Sequence, residues 1–92
     1  GLWAAGHAGL RAMVHAAAQE LRPEGIRACL LVVDAPIDSA KTALRMVEEG
    51  VPADASADQG QVAAAVAYLA NQGPRGLSYE LTVTAAGRAW LP

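Results

Sequence analysis

The chain has 92 residues, 53% of them hydrophobic, with seven Lys and Arg against nine Asp and Glu and a formal net charge of −2. This length supports one small domain at most, and the apolar content argues for a packed core over disorder. The charge balance leaves no electrostatic footprint for nucleic acid or an anionic membrane surface, and the longest apolar run, Ala28 to Val33, is far too short to span a bilayer.

The pattern predicts a first helix from Trp3 to Arg22, with Leu10, Met13, Val14, Ala17 and Leu21 along one apolar face. The run Ala16-Ala17-Ala18 favours helix, Arg22 suits the C-terminal end of the dipole, and Pro23 with Gly25 ends it. Ile26 to Val33 follows. From Ala28 onward it is continuously apolar, as expected of a strand buried on both faces in a helix-covered parallel sheet. A short buried helix is the alternative, but Pro23-Glu24-Gly25 and Asp34-Ala35-Pro36 bound the segment tightly. The only cysteine, Cys29, sits in this run; it excludes an internal disulfide, reads as a small core residue and suits a reducing cytoplasm. No signal peptide is visible.

Asp34 to Ser39 reads as a loop, with Ser39 placed to cap a helix over Ala40 to Glu49 that stops at Gly50. Val51 to Ala57 is a linker of small residues containing Pro52. A further helix is predicted from Asp58 to Asn71, with Val62, Ala65, Val66, Tyr68 and Leu69 as its apolar stripe, and a turn over Gln72 to Gly76. From Leu77 to Thr84, Leu77, Tyr79, Leu81 and Val83 alternate with polar residues, which predicts a half-buried strand suited to a sheet edge. Ala85 to Pro92 is a tail whose Trp90 and Leu91 are expected to pack on the body or on a partner.

The order helix, strand, helix, helix, strand implies a parallel pair of strands joined by a right-handed helical crossover. Two parallel strands make no stable sheet alone. The expectation is therefore that residues 1–92 form a single partial α/β domain, with further strands preceding residue 1. In such sheets ligands bind outside the carboxyl ends of the strands, which makes the Asp34 loop the best candidate site.

These residues resemble the short-chain dehydrogenase/reductase family over essentially the whole chain. Ala8-Gly9-Leu10-Arg11-Ala12-Met13-Val14, followed by Glu20-Leu21-Arg22-Pro23-Glu24-Gly25-Ile26-Arg27, is similar to that family's active-site helix leading into its sixth strand. Asp34-Ala35-Pro36-Ile37-Asp38-Ser39 resembles its Pro-Gly-x-Ile-x-Thr loop, Val62 to Asn71 its final helix, and Tyr79-Glu80-Leu81-Thr82-Val83 its last strand. The Asp34 loop and the Tyr79-Glu80-Leu81 strand resemble a divergent bacterial subgroup with Asp-Gly in place of Pro-Gly and a Trp-containing tail.

The resemblance implies the C-terminal portion of a doubly wound Rossmann-type parallel sheet, with the Gly-rich cofactor turn and catalytic Ser upstream of residue 1. It also implies a Tyr-x-x-x-Lys pair on the first helix, where this sequence has Trp3 and His7. Indole N–H donates a hydrogen bond but cannot serve as a general acid, and His7 is shorter than Lys. In the loop, the resemblance gives Asp34, Ala35, Pro36, Ile37 and Ser39 contacts to NAD or NADP, with main-chain groups of Ile37 toward the carboxamide; Ser39 equally reads as a simple N-cap, and Asp34 as a turn or cap residue. Lys41, Arg45, Glu48 and Glu49 fall on the family's substrate lid and read as a solvated helix face. His15 lies eight residues beyond His7, too far for a metal-binding pair, and no metal site is expected.

The expected function is that of a fragment of an NAD(P)-dependent oxidoreductase acting on a carbonyl or alcohol substrate, with an altered catalytic pair and with no dinucleotide binding by the fragment alone. The alternative is a non-catalytic relative serving as a binding module or as an oligomer interface through the last helix and strand. The expected partners are a small-molecule substrate and a second copy, with neither nucleic acid nor membrane.

Overall fold

The computed structural model describes residues 2–87 of the chain. Three α-helices and two strands follow one another as α1 (Leu2–Leu21), β1 (Leu30–Asp34), α2 (Ala40–Glu48), α3 (Gln59–Ala70) and β2 (Glu80–Thr84). The strands form a parallel two-stranded sheet in register from Leu30 opposite Glu80 to Asp34 opposite Thr84. The chain therefore has a mixed α/β fold built on a small parallel pair. The expected tail packing of Trp90 and Leu91 lies outside the described residues.

Helix ends follow local chemistry. Beyond α1 the chain tightens into a 3₁₀ turn over Arg22–Glu24, with Pro23 inside it. Gly25 takes a left-handed φ of 78°; its N–H bonds Arg22 O at 3.0 Å, and the Ile26 N–H bonds Leu21 O at 3.2 Å. That pair of bonds is a Schellman motif, which satisfies the last carbonyls of the helix. α2 closes the same way, with Gly50 bonded to Val47 O and Val51 to Met46 O. Asp58 caps α3 by accepting from the Gln61 N–H at 3.0 Å. The Gln72 side-chain amide brackets Ser78, donating to its hydroxyl and accepting from its N–H at 2.8 Å each, which holds the turn before β2 closed.

Both strands are shorter than their apolar patterns. β1 begins at Leu30, not Ile26, and β2 at Glu80, not Leu77. The first ladder bond runs from the Leu30 N–H to Tyr79 O at 2.9 Å, so residues 26–29 extend past the end of the shared register. Apolar character marks a segment that can be buried; pairing requires a partner at the same height. The 51–57 segment also departs from a plain linker: it holds a 3₁₀ turn at Ala53–Ala55 and a parallel bridge between Ala57 and Ile37.

Burial is thinner than the composition predicts. The buried apolar residues among those described are Ala18, Ala55, Ala57, Leu69 and Ala85, four of them alanines. β1, expected to be covered on both faces, is half-buried along its whole length. In α1 the buried residue is Ala18, while the predicted stripe residues Leu10 and Met13 are 48% and 71% exposed. In α3, Leu69 is buried as the stripe predicts, whereas Val66 and Tyr68 face outward.

Candidate functional site

The loop from Asp34 to Ser39 leaves the carboxyl end of β1, and its backbone is held from two sides. Thr84, the last residue of β2, donates its hydroxyl to Asp34 O at 3.1 Å. On the other side the Ala57 N–H bonds Pro36 O at 2.8 Å and the Asp38 N–H bonds Ala57 O at 2.7 Å. In this parallel pattern the N–H and C=O of Ile37 itself point away from Ala57. Ala35 is half-buried, and the Pro36 and Ile37 side chains are exposed.

Ser39 does what its sequence position allows locally. Its side chain accepts from the Thr42 N–H at 3.2 Å, and the Ser39 N–H donates to Thr42 Oγ1 at 3.2 Å, completing a reciprocal capping box. The two hydroxyls lie 2.9 Å apart, and Thr42 Oγ1 lies 3.0 Å from Ile37 O. A threonine hydroxyl has one proton. If it goes to Ile37 O, the Ser39 proton goes to Thr42 Oγ1, and Ser39 keeps one acceptor lone pair for a ligand. Thr42 thus joins the two loop residues, Ile37 and Ser39, singled out from the sequence. Its signal was readable as Ser-x-x-Thr, a weaker form of the usual Ser-x-x-Glu capping box.

The other predicted site residues, Trp3 and His7, are on α1. Arg11 and His15 of this helix meet Glu80 at the start of β2, and further along it the Arg22 guanidinium lies 5.4 Å over the Tyr79 ring. The His15 Nε2 to Glu80 Oε2 distance is 3.6 Å. Trp3 lies in the first turn of α1, its side chain outside the described part of the structure; His7 is half-buried one turn on.

A groove of about 250 Å³ opens beside the carboxyl end of β2, lined by Asp54, Ser56, Asp58, Gln61 and Thr84 among others. Nothing in the residue pattern associates the 51–57 segment with the strand ends. The link is the Gly87 N–H bonded to Asp54 O at 2.7 Å. Among the described residues no group of three or more His, Cys, Asp or Glu is placed to hold a metal ion, and no helix is long and apolar enough to cross a membrane.

No protein-family model matches the chain, and neither does a curated protein sequence or a solved structure.

Proposed function

We propose that this chain is the C-terminal part of a doubly wound Rossmann-type domain of the short-chain dehydrogenase/reductase kind, an NAD(P)-dependent oxidoreductase of carbonyl or alcohol substrates whose catalytic pair has become Trp3 and His7. The observation that carries the reading is the parallel pair, with the Asp34–Ser39 loop leaving the carboxyl end of β1. Open α/β sheets bind ligands there. The outward-facing N–H of Ile37 and the remaining acceptor lone pair of Ser39 are groups of the type a nicotinamide carboxamide takes. In this reading Asp34, Ala35 and Pro36 form the wall of the pocket, His7 reaches toward a ribose hydroxyl, and Trp3 orients a carbonyl without protonating it. The setting is cytoplasmic.

The second reading is a relative that binds without turnover, or that serves as an assembly module through the last helix and strand. The replaced catalytic pair and the outward Val66 and Tyr68 of α3 favour it. Full-length protein titrated with NADH and NADPH, then assayed on a panel of carbonyl substrates, separates the two. Saturable binding with turnover supports the oxidoreductase; saturable binding without turnover leaves the second reading; no dinucleotide binding defeats the first. The 92-residue chain alone is expected to bind neither dinucleotide.

A further inference from the structure

Thr42 Oγ1 stands at the centre of a closed hydrogen-bond set. It lies 3.0 Å from Ile37 O, 2.9 Å from Ser39 Oγ and 3.2 Å from the Ser39 nitrogen. The Thr42 N–H in turn donates to Ser39 Oγ at 3.2 Å. Had the Thr42 hydroxyl given its proton to Ser39 Oγ, or to Ser39 O at 3.3 Å, its lone pairs would face Ile37 O at 3.0 Å with no hydrogen between them. The proton therefore goes to Ile37 O. Thr42 Oγ1 then accepts from both the Ser39 hydroxyl and the Ser39 N–H, which fills it.

What remains for a ligand is a fixed pattern. Ser39 Oγ has used its proton and one lone pair, so it can only accept. Ile37 O keeps one lone pair. The Ile37 N–H has no partner among the described residues, and in the parallel bridge to Ala57 it points to the same side of the backbone as Ile37 O. Ile37 O and Ser39 Oγ both touch Thr42 Oγ1, so the three groups form one face of the loop. Ile37 is exposed and Ser39 half-buried. One donor beside two acceptors is the complement of a primary amide, whose carbonyl accepts and whose NH₂ donates twice. A carboxylate of the same shape turns lone pairs toward the two acceptors. A methyl ketone offers them no proton.

We propose that Thr42 is a positioning residue that sets the ligand preference of this loop: by committing Ser39 Oγ to accept, its hydroxyl makes the loop select a primary amide over a carboxylate or methyl ketone of the same shape. The proposal rests on the dinucleotide reading above, in which the amide belongs to the nicotinamide ring. Thr42 acts through Ser39 and Ile37 rather than on the ligand. Without its hydroxyl the Ser39 proton is released and can turn to a ligand carbonyl. A looser loop weakens every ligand alike, whereas a released proton changes their order.

The test is calorimetric titration of the longer protein which that reading implies. The probes are NAD or NADP, whichever binds, with its 3-acetylpyridine analogue (a methyl ketone) and its nicotinic acid analogue (a carboxylate). The amide form is expected to bind about tenfold more tightly than either analogue, the size of one or two lost hydrogen bonds. Thr42→Val is expected to reduce the preference over the methyl ketone to about threefold or less, as one hydrogen bond is regained. Thr42→Ser keeps the hydroxyl and is expected to keep the preference, and circular dichroism checks α2 in both variants. Equal binding of amide and ketone by the unaltered protein, a preference unmoved by Thr42→Val, or the same loss in Thr42→Ser overturns the proposal and leaves the dinucleotide reading standing. Binding of neither dinucleotide defeats that reading, and the proposal with it.

Discussion

Arg11 and Glu80, 69 positions apart in the chain, form an ion pair that ties the middle of α1 to the first residue of β2. His15 approaches the other carboxylate oxygen. The pair sits where the helix crosses the entrance to the sheet.

Its energetic value is modest, because the Arg11 side chain is half exposed and exposed pairs contribute roughly 0.2–1 kcal/mol. A double-mutant cycle of Arg11→Ala and Glu80→Ala is expected to give a coupling in that range that shrinks as salt is raised. Coupling that is absent at low salt as well would remove the pair as a tie between helix and sheet.

Gly87 is required by close approach. A Cβ built there would run into the Asp54 carboxylate and lie 2.8 Å from the Asp54 backbone carbon, and the backbone cannot swing aside as a side chain can. Gly87→Ala should therefore destabilise by about 1–3 kcal/mol, the usual range for overpacking, and weaken the Gly87 to Asp54 bond that links the end of β2 to the 53–55 turn. Denaturant unfolding measures the first effect. Faster hydrogen exchange at the amide of residue 87 measures the second, and an unchanged rate there would show that the turn is held by other means.

The Ser39–Thr42 box gives a graded series. Ser39→Ala removes the acceptor for the Thr42 N–H and should cost about 0.5–2 kcal/mol. Thr42→Val keeps that acceptor but loses the hydroxyl bonded to the Ser39 N–H and Ile37 O, and is expected to loosen the loop while α2 stays folded. Helical content by circular dichroism together with exchange rates at residues 37–39 distinguishes the two; equal effects would show that the hydroxyl of Thr42 does not hold the loop.

The proposed oxidoreductase reading has its own test. If it holds, Trp3→Tyr combined with His7→Lys in the longer protein it implies is expected to raise turnover on a carbonyl substrate by about 10²–10⁴, the usual contribution of a positioned general acid or base. Unchanged turnover would count against that reading of the two positions.

The elements and the ends of the helices are legible in the sequence. Gly25 and Gly50 close α1 and α2, Ser39 and Asp58 open α2 and α3, and each acts through bonds to groups within five residues, so the information is local. The loop from Asp34 to Ser39 was legible as a loop for the same reason: it follows an apolar run and precedes a cap. Relations between distant segments came from tertiary structure alone. The register that trims β1 to Leu30 depends on where Tyr79 arrives, the backbone of Ile37 is aimed by Ala57, and Asp54 is drawn to the strand ends by Gly87. Which side of α1 is buried belongs here too. An apolar stripe states which residues gain from burial, but Ala18 is the residue buried, and Leu10 and Met13 lie outside. Hydrophobicity sets a preference for burial; the geometry of the available partners decides which residues receive it.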